Sequence, residues 1–393
     1  MKIDISSLPL IDNHAHPFPS GRAAKTPYYR NFTLSRMPIE ENSAQHTLVF
    51  QMLNRRLRRF LELPDDCDIA VLEAERKKRL TEDRRGYIRS LWKDAGYYGM
   101  IADIGSPVTK VLLTKDELAE FDQDMEGFFC QKINRLEWVA EDVIESGTHS
   151  FEEFTELYTA GIKKRVKDQG LIGLKSIIAY KTGLEVKILS ETKFKEQYYL
   201  YLSDPKNRAY EKSFRDYCFC KGCEVAAELD IPLQIHTALG DSPDLNLIKG
   251  NPALLYEAFI AYPQTKFVLI HAGYPYCEEL GFLMSSYENV FGDVSSMVPY
   301  ASVAGITKIR AIMELAPMNK LMFGTDAGSC PEQFWYGAIL FRAYFRDILQ
   351  ELVDKDYISY SFAMETAENV MFKNILRLYK LQNRDDVHPA LVL

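Results

Sequence analysis

The chain has 393 residues, 47% of them hydrophobic, and its 47 Lys and Arg stand against 55 Asp and Glu for a net charge of −8. That composition is globular and excludes a disordered or fibrous chain, while the acidic balance argues against a nucleic-acid partner, which needs clustered surface cations. No apolar run approaches the roughly 18 residues of a membrane span, and Asp4 follows Lys2 where a secretory leader would turn apolar, so the sequence predicts a cytoplasmic protein whose seven cysteines are reduced.

Eight short apolar, β-branched runs alternate with longer helix-patterned stretches, as βα units on a parallel sheet require. They lie at residues 8–12, 98–104, 132–139, 171–178, 232–235, 266–270, 289–294 and 320–324. Eight such units, with no GxGxxG or GxxxxGK[ST] loop, predict an α/β protein built as one (β/α)8 TIM barrel over residues 1–393. The gap between the first two runs is far longer than one helix needs. Residues 40–93 fill it with charged, helix-patterned sequence in which Leu53, Leu57, Phe60 and Leu61 share one face. A helical insertion after strand 1, capping the barrel mouth, is therefore expected. Its arginines, Arg55, Arg56, Arg58, Arg59, Arg84 and Arg85, are interspersed with Glu62, Glu73, Glu75 and Asp83 and read first as a solvated helix surface. The same insertion is a candidate surface for a homodimer. Residues 363–381 are expected to form a closing helix and 382–393 a loose tail.

His14 and His16 flank Ala15 just after the first run. Alternation along a strand turns both imidazoles to one side, at the end of the barrel where active sites form. His236 ends the fifth run, His271 ends the sixth, and Asp326 closes the eighth in Phe323-Gly324-Thr325-Asp326. Four of the seven histidines thus fall at strand C-termini. Satisfied core histidines would have to recur at several strands at once to give this pattern. A divalent metal is expected among these groups, zinc first, with manganese or iron also open. Asp12 reads either as support for an imidazole or as a solvated strand end. Lys175 lies inside the fourth run, a costly place for an ammonium unless it is paired, deprotonated or modified.

Substrate-facing residues are expected just past the strand ends: Arg135 and Glu137 in the third run, Tyr180 and Lys181 after the fourth, and Tyr274 after His271. Lys181 is the preferred anchor for a substrate carboxylate, set against ordinary solvation of an exposed loop. Cys218, Cys220 and Cys223 form a CxCxxC pattern, but the spacing is not that of a zinc ribbon and residues 210–228 read as a helix. Cys277 and Cys330 fall nearer the mouth, without the His and Asn company of a thiol nucleophile.

The stretches Asp12-Asn13-His14-Ala15-His16, Gly173-Leu174-Lys175-Ser176-Ile177-Ile178-Ala179-Tyr180, Pro232-Leu233-Gln234-Ile235-His236 and Phe323-Gly324-Thr325-Asp326 together resemble the amidohydrolase superfamily. The resemblance is closest to its amidohydrolase-related TIM-barrel metal-dependent hydrolases, including the amidohydrolase-like half of fused glutamine-synthetase-like proteins. It implies that His14 and His16 are metal ligands and that Asp326 is both a ligand and the base for a metal-activated water. For the other residues it leaves alternatives. In a binuclear site a carboxylated Lys175 bridges two metals, with His236 and His271 completing the ligands. In a mononuclear site His236 is the third imidazole, His271 polarises the substrate and Lys175 holds a substrate oxygen; a purely structural lysine is the third reading. The activity implied is hydrolysis of an amide or related C–N or ester bond in a small carboxylate-bearing molecule. A non-oxidative decarboxylase of the same superfamily and a metal-stabilised binding or regulatory module are the alternatives. Relatives that act on γ-glutamyl amides tend to carry an arginine where this chain has Lys181, which counts against that substrate.

Overall fold

The computed structural model describes residues 2–105, 112–147 and 149–382. The eight apolar runs become eight parallel strands in sequential order. They are β1 (Leu10–Ala15), β2 (Tyr97–Asp103), β3 (Phe129–Arg135), β4 (Gly173–Ser176), β5 (Leu233–His236), β6 (Phe267–Ile270), β7 (Val290–Asp293) and β8 (Leu321–Met322). Their side chains are buried almost without alternation, because helices cover the outside of the barrel while side chains fill the inside. The seam between β8 and β1 closes through three backbone bonds: Asn13 N–H donates to the Phe323 carbonyl at 2.9 Å, Asp326 N–H to His14 at 2.8 Å, and His16 N–H to Ala327 at 2.7 Å. These bonds complete the (β/α)8 barrel and clamp the HxH segment against the loop that carries Asp326.

Several boundaries differ from the sequence reading, each for a physical reason. β1 begins later than expected and runs to Ala15, so His14 lies within the strand and His16 just beyond it. The run at 132–139 divides at Arg135, where Leu136–Glu145 begins as a helix. Leu136, Val139, Ala140 and Val143 are buried at the i, i+3, i+4, i+7 spacing of a helix face, which outweighs the strand preference of a lone valine. Glu137 is consequently in a first helical turn, not on a strand. After β4 the chain forms the short helix Ile178–Lys181, and β8 contracts to two residues. The closing segment is a helix, Tyr360–Glu368, a π turn, Asn369–Lys373, and a last helix, Asn374–Leu378. Within the π turn the Val370 carbonyl accepts from Phe323 N–H at 3.0 Å, bracing β8. Of the expected tail, residues 383–393 lie outside the described residues.

Between β1 and β2 stand the helices Glu41–Gln45, Leu48–Phe60, Ile69–Glu82 and Arg84–Ala95. Leu53 and Leu57 are fully buried on the predicted apolar face. The insertion docks on the flank of the barrel beside β8: helix Arg84–Ala95 packs on Pro331–Asp354, and Arg76 Nε meets the buried Glu332 Oε1 at 2.5 Å. The mouth itself is reached by residues 30–36, just ahead of the insertion. Arg55 and Arg59 are exposed and pair with Asp65, which is the behaviour of a solvated helix surface.

Candidate metal centre

His14, fully buried on β1, places Nδ1 2.7 Å from Gln234 Oε1 on β5. The Gln234 amide is oriented by its own nitrogen, which donates to the Asn13 carbonyl at 2.7 Å and to Tyr379 Oη at 2.8 Å. Its oxygen therefore faces His14, and His14 Nδ1 carries the proton. Burial, then the neighbouring Lys175, lowers the His14 imidazole to about 4, so the ring is neutral and Nε2 presents a lone pair. That lone pair lies 3.4 Å from Asp326 Oδ1. His16 Nδ1 lies 3.3 Å from the Asp103 carbonyl and its Nε2 3.1 Å from the same Asp326 oxygen. Asp326 adopts a left-handed backbone, with φ +58°, as does His271 at φ +67°; such strain in non-glycine residues clusters at functional sites. Burial would raise the Asp326 carboxyl, but His271, His14 and His16 facing it outweigh that and hold it well below the usual range.

The second half of the cluster comes from β4, β6 and the end of β5. His271 Nδ1 lies 2.9 Å from Ser295 Oγ and 3.7 Å from Asp326 Oδ2, and its Nε2 lies 2.9 Å from His236 Nδ1. His236 Nε2 is buried with no hydrogen-bond partner among the described residues. Burial pushes both imidazoles well below their ordinary value. Lys175 Nζ sits 3.4 Å from His14 Nε2, and burial lowers its ammonium to about 8. Beneath these groups Asp293 at the end of β7 accepts from His271 N–H at 2.9 Å and from Ser295 Oγ at 2.6 Å, which fixes both.

This donor set fits a divalent cation. The Nε2 atoms of His14 and His16 face one Asp326 oxygen at 3.4 and 3.1 Å, and imidazole with carboxylate is the ligand chemistry of zinc and its neighbours. Potential ligand atoms of His14, His271 and Asp326 lie within 4.8 Å of one another, as do those of His14, His16 and Asp103. Arg135 and Tyr180 join the six predicted ligands around a single cavity of about 210 Å³. Tyr180 packs against His236 with ring centroids 4.4 Å apart and planes tilted by 55°, and its hydroxyl accepts from Asp241 N–H at 3.0 Å.

Three predicted substrate residues do not reach this cavity. Lys181 pairs with Glu141 at 3.5 Å and lies over the Trp138 ring. Glu137 is buried beneath the barrel wall, where Oε1 accepts from Ser176 Oγ at 2.7 Å and Ile177 N–H at 2.8 Å, securing the end of β4. Tyr274 lies past the kink after His271, beside Lys308. Asp12 is neither a solvated strand end nor a support for an imidazole ring. It is fully buried and accepts from the backbone N–H groups of His14 and Thr325 at 3.0 and 2.9 Å, tying β1 to the loop after β8.

Sequence reasoning passed over Asp103, Gln234, Asp293 and the mouth residues Arg30 and Arg36. The first three carried a signal: each is a polar side chain at an inward position of a strand otherwise built from apolar residues. Arg30 lies in the short 3-10 turn Tyr28–Phe32 and Arg36 in the irregular chain after it, with no apolar period to place either. The cysteine cluster lies on helix Arg208–Glu228, with Cys218, Cys220 and Cys223 all buried. Cys277 and Cys330 are buried outside the cavity. Among the described residues no helix is long and apolar enough to cross a membrane.

Comparison with known proteins agrees with this geometry. A model of the Amidohydrolase family matches residues 136–381. Protein fluG of Emericella nidulans is 28% identical over 421 aligned positions, which cover 97% of this chain and 46% of that protein. The chain thus spans about half the length of this relative, in keeping with the likeness to one half of a fused protein. Among solved structures, an inferred metal-dependent hydrolase from Lactobacillus casei superposes with a TM-score of 0.80 at 21% identity, covering 98% of both chains. Glucuronate isomerase from Caulobacter crescentus gives 0.68 at 13% identity, over 98% of this chain and 94% of that one. At these identities the structures establish the shared barrel.

Proposed function

The chain belongs to the amidohydrolase family, and on that premise we propose that its barrel mouth is the active site of a metal-dependent hydrolase acting on an amide or related C–N or ester bond of a small molecule. The observation that carries this reading is the convergence of two imidazole nitrogens, Nε2 of His14 and Nε2 of His16, on one oxygen of Asp326 at 3.4 and 3.1 Å. We assign His14, His16 and Asp326 as ligands of a divalent cation, most simply zinc, with His236, His271 and Lys175 available to a second cation or to the substrate. When bound, the cation supplies a Lewis acid that polarises a carbonyl and acidifies water.

The residues of the chain supply the rest. Asp326 takes the proton of the attacking water and delivers it to the leaving nitrogen or oxygen, work suited to a carboxylate that is ionised in the resting protein. Ser295 and Asp293 brace His271, which fixes its ring at the cavity. Tyr180 and Gln234 hold the His236 and His14 rings in place. The Asp12 bonds to Thr325 and His14 keep Asp326 and the HxH segment in register, so that reacting groups stay positioned without rearrangement.

A screen of amides, lactones and esters in ¹⁸O water tests the proposal. Label is expected in the carboxylate product, with turnover lost in Asp326→Asn. Release of CO₂ with no label in the organic product would replace the hydrolase by a decarboxylase.

A further inference from the structure

Arg135 at the end of β3 is 4% exposed and lines the cavity beside the imidazoles. Two of its nitrogens are spent on one partner: Nε and Nη2 both donate to Asp103 Oδ2 at 2.8 Å. The third, Nη1, is buried with no hydrogen-bond partner among the described residues. A buried guanidinium N–H without an acceptor is costly, and a purely structural arginine would be placed to satisfy it. The surroundings instead fix the side chain in this half-used state. Asp103 is fully buried, and its Oδ1 accepts from Gly105 N–H at 2.9 Å. A Cβ on Gly105 would meet Arg135 Cγ at 2.7 Å, so the arginine stem fits only because residue 105 is glycine. Trp138 Nε1 donates to the Gly105 carbonyl at 2.6 Å and holds that loop against the stem.

We propose that Arg135 Nη1 receives a substrate carboxylate, so that the site selects small acids whose charged group lies close to the scissile bond. The proposal rests on the hydrolase reading above and deepens it by naming the substrate class. Proximity to the reacting centre follows from the sheet: Arg135 stands in register with Lys175 on β4, and the Asp103 carbonyl contacts the His16 ring. The charge of the lining has the matching sign. Arg30 donates to the carbonyls of Met37 and Ser35, and no carboxylate pairs with it among the described residues. Arg36, by contrast, is matched by Asp241 and Asp244. Lys181, the anchor expected from sequence, is already occupied by Glu141. A planar fork fixed by a buried aspartate gives a directional contact that a mobile lysine ammonium would not.

Calorimetric titration of the full chain, with its metal content recorded, tests this with malonate and its neutral diamide, malonamide. Malonate is expected to bind and malonamide to bind at least tenfold more weakly. Arg135→Lys keeps a cation beside Asp103 but removes the fork, and should weaken malonate at least tenfold at equal metal content. Because removing the arginine alone orphans Asp103, the double variant Asp103→Asn/Arg135→Gln serves as a second, charge-balanced test with the same expectation, its fold checked by circular dichroism. Malonate affinity within twofold of the parent in both variants would overturn the proposal. So would bicarbonate-dependent metal loading that is lost in Arg135→Lys while malonate binding is unchanged, since Nη1 would then serve a carboxylated Lys175. A parent that takes up no metal yet binds malonate through Arg135 would sink the hydrolase reading and leave the anion receptor standing.

Discussion

Two clusters of ligand-type side chains occur in this chain, one at the barrel mouth and one on helix Arg208–Glu228, and they differ in how they are built. The mouth cluster draws His14, His271 and Asp326 from three separate strand ends, so their donor atoms converge from different directions on one volume. Cys218, Cys220 and Cys223 share a single helix, where 3.6 residues per turn spread them around the axis into the helix–barrel packing. Their environments diverge as well. The mouth carboxylate stays ionised among imidazoles, whereas burial pushes the Cys220 thiol up to about 12. Among the described residues the thiols join no convergent set of ligand atoms, and apolar burial keeps them protonated in the core. Cysteine spacing that is not that of a zinc ribbon already counts against the helix cluster in the sequence, and topology separates the two further.

The comparison sharpens first at Asp326. Asp326→Asn removes the proposed proton carrier, and turnover on a substrate found by the screen should fall by about 10²- to 10⁴-fold. Gln234→Leu leaves every proposed ligand intact but frees the His14 tautomer. Competition with a chelating dye should then show metal affinity lower by about 10- to 100-fold. On the other side of the comparison, Cys223→Ala should leave metal content unchanged and cost about 1 kcal/mol of stability in urea melts, as an ordinary small core truncation does. The three helix thiols should also resist Ellman's reagent at pH 8 until the chain is unfolded, because almost none of each is thiolate; fast labelling of the native protein would show that the helix is not packed as described. The smallest effect belongs to Lys181→Ala, whose partly exposed pair with Glu141 is worth about 0–1 kcal/mol, so kcat/KM should change by less than about twofold.

What could be read from sequence follows the same division. The histidines and Asp326 were visible because a barrel gathers function at strand C-termini and those ends follow apolar runs. The helical start at Leu136 was hidden because Val139 and Trp138 suit a strand as well as a helix over so few residues, and that misplacement carried Glu137 to the mouth instead of beneath β4. Lys181 was misjudged for a tertiary reason: Glu141, which occupies it, belongs to a helix whose position relative to the loop after β4 depends on the folded barrel. Arg135 was placed in the right region by its strand, but its partner Asp103 comes from a neighbouring strand, and no local pattern announces such a pair. Arg30 and Arg36 escaped altogether, since a short 3-10 turn and the loop after it reach the cavity through bonds to Asp241 and to the segment's own backbone carbonyls.

The most direct test of the account is elemental analysis of the purified protein, comparing the parent with His14→Ala/His16→Ala and with Cys218→Ala/Cys220→Ala/Cys223→Ala. The account predicts about one or two divalent metal atoms per chain in the parent and in the cysteine variant, and almost none in the histidine variant while circular dichroism shows it folded. Metal retained without the two histidines, or lost with the three cysteines, would contradict it.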